Sequence, residues 1–298
     1  MQDALTSRRK AWQGCLGAIL LAGLLLMTGV LRAATIHVAG GSGVGQESFM
    51  AALAGALGDA HVVMPAGSPG QPDVTIALHE SVLPVAREAG GAVLAVLPEP
   101  ERAVVRVGEG VVYWAPSWTD QLRLTKQIFP AVRRVGLLLE KPANPERVRA
   151  LREKARRMGL ELVVREAQPD TLVREVADLA GSSDVIIAPA DSRLFTRHTL
   201  KPILLAAYRQ NRVFIGPSPA VVKAGALAAL HVPPEVLARE VAERIQRFLK
   251  EGRWGVTSRM TKFDVTTNPQ VARALGLRLA DPEQLTREWR SEEGTSWP

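Results

Sequence analysis

The sequence RVGLLLEKPANPERVRALREKARRMGLELVVR, residues 134–165, contains one complete strand–helix–strand unit. The apolar run Val135–Leu139 predicts a buried strand, and Glu161–Arg165 predicts a second strand. Between them Asn144 can cap a helix and Gly159 can end it. Two strands joined through a helix in this way are typical of a parallel sheet.

The same alternation of strands and helices occurs in two blocks along the chain. The first block contains the candidate strands Thr35–Ala39, His61–Met64, Val74–Leu78, Ala92–Leu97 and Val111–Trp114. The second block contains Val135–Leu139, Glu161–Arg165, Val185–Ala188, Val213–Ile215 and Ala228–Val232. Because the two blocks have a similar build, we predict an α/β protein with two Rossmann-like parallel-sheet lobes joined by a hinge.

The expected division of the chain follows from these blocks. We predict a signal peptide at 1–34, a first lobe formed by 35–116 plus 233–298, and a second lobe at 117–232. A further strand candidate, Met260–Val265, lies in the tail that this division gives to the first lobe.

The N-terminus has the features of an export signal. Arg8, Arg9 and Lys10 precede the apolar run Leu16–Val30, and this order is typical of a signal peptide. The run is about 15 residues long, shorter than the roughly 20 that a membrane-spanning helix needs. We therefore expect a cleaved signal peptide in preference to a retained anchor, and a periplasmic location. Cleavage would also remove Cys15, the single cysteine, so the mature chain would form no disulfide.

The charge of the chain indicates a soluble protein without a nucleic-acid surface. Removal of residues 1–34 lowers the formal net charge from +7 to +4, which is mild. One predicted helix carries a basic face made of Arg147, Arg149, Arg152, Lys154, Arg156 and Arg157. An anion-binding patch is one interpretation, but no aromatic residues interleave for base stacking, so a solvated face is favoured.

Several motifs of enzymes and nucleotide-binding proteins are incomplete. The glycine-rich loop Gly40–Gly45 is followed by Gln46 and Glu47 where a phosphate-binding loop needs Lys and Ser/Thr. Its backbone amides could still hold a carboxylate, or the glycines could form a plain turn. The five histidines are scattered, and no G-x-S-x-G motif occurs. We therefore expect neither catalytic activity nor a metal or cofactor.

Polar side chains follow the predicted strands, where open α/β sheets bind ligands. The candidate ligand-binding residues are Ser42, His79, Glu80, Glu99, Trp114, Asp191, Ser192 and Ser218. Asp191 can hold a ligand ammonium group or cap the helix that follows, and the two roles are compatible. Trp114 with Trp118 can form an aromatic wall for the ligand, although packing at the hinge is favoured.

The second block resembles a known family. Its segments Arg134–Leu139, Ser183–Asp191, Arg212–Gly216 and Thr266–Leu277 are similar to those of ABC-transporter substrate-binding proteins, in the group that includes tryptophan- and tyrosine-binding members. The resemblance implies a periplasmic binding protein type I fold, with a hinge and a ligand cleft between the lobes. The first block differs, since His79 and Glu80 stand where the family usually has Gly-Thr or Gly-Ser.

The resemblance implies capture of a small molecule and its delivery to an inner-membrane ABC permease. The alternative is a periplasmic sensor or interaction subunit with the same fold, linked to an outer-membrane receptor instead of transport. A monomer is expected, and the ligand is not identified by these residues.

Overall fold

The computed structural model describes residues 33–40, 45–98, 105–188, 190 and 194–291. These residues form two sheets, which confirms the predicted two-lobe α/β class. The first sheet contains β1 (Thr35–Ala39), β2 (Val62–Pro65), β3 (Val74–Ala77), β4 (Ala92–Leu97), β5 (Gly110–Tyr113) and β11 (Ser258–Arg259). The second contains β6 (Arg134–Glu140), β7 (Glu161–Ala167), β8 (Val185–Ile187), β9 (Val213–Gly216), β10 (Ala228–His231) and β12 (Asp264–Thr267).

The two sheets have closely related topologies. The first has the order β11-β5-β4-β3-β1-β2 and the second β12-β10-β9-β8-β6-β7. All neighbouring strands are parallel except β10 and β12, which pair antiparallel. The strand order changes direction between β1 and β3 in the first sheet and between β6 and β8 in the second sheet. Each of these places is a topological switch point.

Helices cover both sheets. They are α1 (Gln46–Leu57), α2 (Leu83–Ala89), α3 (Trp118–Ile128), α4 (Pro145–Arg157), α5 (Leu172–Ser182), α6 (Arg197–Tyr208), α7 (Pro219–Ala224), α8 (Pro234–Glu251), α9 (Pro269–Ala274) and α10 (Pro282–Ser291). The Asn144 side chain accepts hydrogen bonds from the backbone N–H groups of Glu146 and Arg147, as the capping prediction requires. Among the described helices, none combines the length and the apolar character needed to cross a bilayer.

Side chains that point to alternate faces of each strand form the apolar core on both sides of the first sheet. Ile36 and Val38 of β1 pack with Phe49 and Leu53 of α1, and α8 lies against α1. Ala39 belongs to the opposite face, where it shares a cluster with Leu83 of α2. Successive side chains of a strand point to opposite faces, so one short apolar run serves two helix layers.

The tail of the chain is divided between the two sheets. The prediction that all of 233–298 belongs with the first lobe differs from the strand pairing, because β12 pairs with β10 of the second sheet. The predicted strand Met260–Val265 is wrong over its first four residues, which connect β11 to β12, and only its last two residues belong to β12. Helix α10 packs on β12. Apolar periodicity cannot identify the partner of a short strand, because the partner is set by distant residues.

The chain passes between the sheets three times, at residues 114–117, 232–233 and 260–263. The first two crossings leave the carboxyl ends of β5 and β10, and the third leaves the carboxyl end of β11. All three connections therefore lie on the edge where the parallel strands end.

Candidate functional site

The three crossings join the two sheets at their carboxyl edges, and we call these two edges the walls of the candidate site. Ligands of open parallel sheets bind at this edge, beside the switch point. In the first sheet the switch point is flanked by the loops after β1 and β3, and in the second by the loops after β6 and β8. The candidate site is therefore built from loops of both sheets.

The first wall contains His79 and Glu80, which follow β3. His79 is buried at the start of a 3-10 turn, Glu80–Val82. The Ser81 backbone N–H donates to His79 Nδ1 at 3.1 Å, and the Ser81 hydroxyl lies 2.9 Å from the same nitrogen. These contacts hold the imidazole in one orientation, while Glu80 is only partly buried.

Gln46 also lies on this wall, although its sequence position indicated only that the glycine-rich loop is not a phosphate-binding loop. Its Nε2 donates to the Val38 carbonyl oxygen at 3.0 Å, so the amide folds back over the end of β1. A Cβ at Gly40 would overlap the Gln46 amide. The glycine therefore permits this close approach, which the position of Gln46 directly after the glycine-rich loop could have indicated.

The first crossing carries two tryptophans. Trp114 is 8% exposed and Trp118 is 6% exposed, and both belong to the main apolar cluster. Within the described part of the chain neither indole Nε1–H has a hydrogen-bond partner. Burial supports the packing interpretation, and a ligand contact through Trp114 stays a prediction.

Arg147 belongs to this crossing and not to a solvated face. Its guanidinium carbon lies 4.1 Å from the centroid of the Trp118 ring, which is cation–π geometry. Trp118 is held in place by a capping box, in which Asp120 N donates to Ser117 Oγ at 3.2 Å and Ser117 N donates to Asp120 Oδ2 at 2.8 Å. The sequence pattern missed Arg147 because helical periodicity does not show which basic residue meets an aromatic ring from another helix.

Ser218 follows β9 on the second wall. It precedes α7, but its side chain makes no capping hydrogen bond and is only partly buried. Its hydroxyl is therefore available for a ligand. The remaining predicted residues, Ser42, Glu99, Asp191 and Ser192, lie outside the described residues, so their roles stay predictions.

A second group of polar residues lies at the second and third crossings. His231 ends β10 and is paired in register with Asp264, the first residue of β12. Its Nδ1 lies 3.3 Å from Thr266 Oγ1. These residues line an open cavity of about 400 Å³ together with Val265, Pro282, Glu283, Thr286 and Arg287.

We expect protonation of His231 to destabilise the fold. Burial lowers the pKa of His231 below its ordinary value of 6.5, and the negative charge of Asp264 opposes this only in part. The unfolded chain therefore binds the proton more readily, so the free energy of unfolding falls as the pH drops through about 6.5 toward the lowered pKa. In chemical denaturation from pH 8 to 5, His231→Gln should show a smaller fall than wild type. The exposed His198 provides the control variant, His198→Gln; a fall for His231→Gln as large as that of wild type and of this control would contradict the prediction.

The sequence profile of the ABC transporter substrate binding protein family matches residues 107–287. This range includes the first crossing, the whole of the second sheet and the third crossing. No curated protein is significantly similar to the sequence.

Solved structures share the fold at low sequence identity. A conserved domain protein from Vibrio cholerae has a TM-score of 0.62 and 18% identity, over 86% of this chain and 98% of that one. A Streptococcus pneumonia ABC domain in complex with L-Trp has a TM-score of 0.61 and 15% identity, over 86% and 98%. The ligand-free, open form of a substrate binding protein with adhesive properties from Clostridium difficile has a TM-score of 0.64 and 18% identity, over 84% and 97%.

Proposed function

Because the chain belongs to the ABC transporter substrate binding protein family, we propose that it captures a small molecule between its two lobes and delivers it to a membrane permease. The observation that carries this proposal is the set of three crossings at the carboxyl edges of two parallel sheets. They allow both sheets to contribute loops to one ligand site, and they provide a hinge.

The polar groups on the two described walls suit binding of a small polar molecule better than catalysis. The partly buried carboxylate of Glu80 and the hydroxyl of Ser218 offer hydrogen-bonding groups from opposite sheets. His79 is already held by Ser81 and is therefore a positioned group. Closure of the hinge around a ligand would exclude water and strengthen these polar contacts.

Export to the periplasm is part of the same proposal. It rests on the basic residues Arg8, Arg9 and Lys10 followed by the apolar run Leu16–Val30. A permease in the inner membrane would then receive the ligand on the periplasmic side.

A thermal-shift screen of the exported protein tests ligand capture directly. Amino acids, small carboxylates, purines and vitamins would each be titrated, because a ligand that binds only the native state must raise the Tm. A saturable rise for one chemical class is the expected result. A well-folded protein with no rise for any class would contradict the proposal and favour a sensor or interaction subunit.

Two matched substitutions locate the site of the ligand found in this screen. Asp191→Ala should weaken binding by about 1–3 kcal/mol if the carboxylate pairs with a charged ligand group. Ser218→Ala should weaken binding more modestly, by about 0.5–1.5 kcal/mol. Asp178→Ala and Ser182→Ala, both on α5 and outside the carboxyl-edge loops, are the controls and should leave the Kd unchanged. If Asp191→Ala leaves the Kd unchanged, Asp191 is not a ligand contact; the cap of the next described helix is Thr196 instead, whose side chain accepts from Thr199 N.

A further inference from the structure

Two valines are exposed at the amino edge of the first sheet, the edge where its parallel strands begin. Val107 is fully exposed and Val256 is 86% exposed, more than any other large hydrophobic residue in the described part of the chain. Val107 lies just before β5 and Val256 just before β11. Since β5 and β11 are neighbours and parallel, the two side chains stand at adjacent strand starts.

Val107 is presented by a well-anchored turn. The backbone N–H of Glu109 donates to the Arg106 carbonyl at 3.1 Å, and Gly108 has a φ of 92°, as a tight turn with glycine at its third position requires. The Arg106 N–H also donates to Glu109 Oε2 at 2.8 Å. Glu109 is itself held by Arg87 through contacts of 2.7 and 2.9 Å. The apolar tip is therefore held outward by interactions beneath it.

Val256 is anchored by a different set of contacts. Arg244 Nη1 donates to the Val256 carbonyl at 2.7 Å, and Arg244 Nε donates to Glu240 Oε1 at 2.9 Å. Beside it, Trp254 stacks on Phe248 with ring centroids 4.2 Å apart. Two separate sets of contacts thus hold two exposed valines at one edge of the sheet, although exposure of an apolar side chain to water is unfavourable.

Two features of this edge indicate what it would contact: its charged residues and the position of the N-terminus. Arg106 and Lys250 are exposed near these valines in the sequence, and the exposed Arg253 pairs with Glu251 at 3.7 Å. The first described residue, Ala33, precedes β1 on the same edge, and β1 is three strands away from β5, roughly 15 Å. In the sequence the apolar run Leu16–Val30 ends three residues before Ala33.

We propose that the amino edge of the first sheet is a membrane-contacting surface, at which Val107 and Val256 insert into the headgroup region of an anionic bilayer. Apolar tips supply the insertion and the flanking basic side chains supply attraction to anionic lipids. A chain that keeps the N-terminal run is held at this surface, and a chain released by cleavage binds it reversibly. In either form the carboxyl-edge crevice lies at the opposite end of the strands and points away from the lipid.

Site-specific fluorescence in vesicles tests the proposal on the full chain. Cys15→Ser removes the single cysteine, and Val107→Cys, Val256→Cys or Val173→Cys then introduces one labelling site. Val173, on α5 of the second lobe, is 44% exposed and serves as the control. Vesicles of phosphatidylethanolamine and phosphatidylglycerol carry a lipid with a shallow nitroxide quencher. An apolar environment-sensitive label at 107 and at 256 should be quenched by about twofold or more, and the label at 173 should not.

The charge requirement is measured on the cleaved chain, without residues 1–34, because the apolar run would hold the full chain on any vesicle. In the protein labelled at 256, Arg106→Gln and Lys250→Gln should each weaken binding to these vesicles by about fivefold. Binding of the unsubstituted protein to phosphatidylcholine vesicles, which carry no net charge, should be weakened to a similar extent. Equal quenching at all three positions, quenching confined to one of the two valine sites, or equal binding to phosphatidylcholine would each overturn the proposal. None of these outcomes depends on whether the crevice binds a solute.

Discussion

Trp118→Ala is expected to lower the free energy of unfolding by about 3–5 kcal/mol, the usual cost of removing a buried aromatic side chain. Trp118 is 6% exposed and lies at the start of α3, directly after the first crossing. Its ring also supports the Arg147 guanidinium at 4.1 Å. The substitution removes both the burial of the indole and this cation–π contact. Chemical denaturation followed by far-UV circular dichroism measures the loss.

Trp118→Phe separates packing from hydrogen bonding at the same position. Phenylalanine keeps an aromatic face for Arg147 but has no N–H donor, so the expected loss of stability is only about 1–2 kcal/mol. If the indole N–H donates to a bound ligand, the Phe variant should bind that ligand more weakly than its stability predicts. An Ala variant as stable as wild type would show that the first crossing is not held by this ring.

Glu109→Gln is expected to destabilise the first lobe by about 1–2 kcal/mol, because it breaks a partly buried ion pair in which Arg87 binds both carboxylate oxygens. The Arg87 and Glu109 side chains are 18% and 9% exposed, and the Arg87 guanidinium binds both carboxylate oxygens. Glutamine keeps the shape of the side chain but cannot neutralise the guanidinium. The expected loss is therefore larger than that for an exposed pair, which is below about 1 kcal/mol.

The pH dependence identifies the charge as the cause. The hydrogen bond from Arg87 holds the pKa of Glu109 below its ordinary value of 4.5. The stability that this carboxylate contributes is therefore present above about pH 4.5 and is lost as the pH falls through the lowered pKa. Glu109→Gln should lack this component. The control is Glu251→Gln, since Glu251 meets Arg253 at 3.7 Å on the surface; equal losses for the two variants would contradict the argument.

Apart from the edge strands β2 and β7, the strands of the two blocks could be predicted with small errors at their ends because they are buried on both faces. Such strands are nearly continuous apolar runs, as in Ala92–Leu97, which the structure reproduces at both ends. The short tail strands β11 and β12 contain few apolar residues, and their partners lie more than a hundred residues and about thirty residues earlier in the chain. Their assignment to different sheets was therefore not predictable from periodicity.

The residues alone were sufficient for the class of fold and for the resemblance to a binding-protein family, since apolar period, caps and glycines act within a few residues of one another. They also located His79, Glu80 and Ser218 at strand ends. The stacking of Arg147 on Trp118, the return of Gln46 over Gly40 and the exposure of Val107 beside Val256 were decided by the folded chain. Each of these features involves residues from different parts of the fold. Their distance depends on how strands and helices pack, and that packing is the sum of many weak interactions across the whole domain.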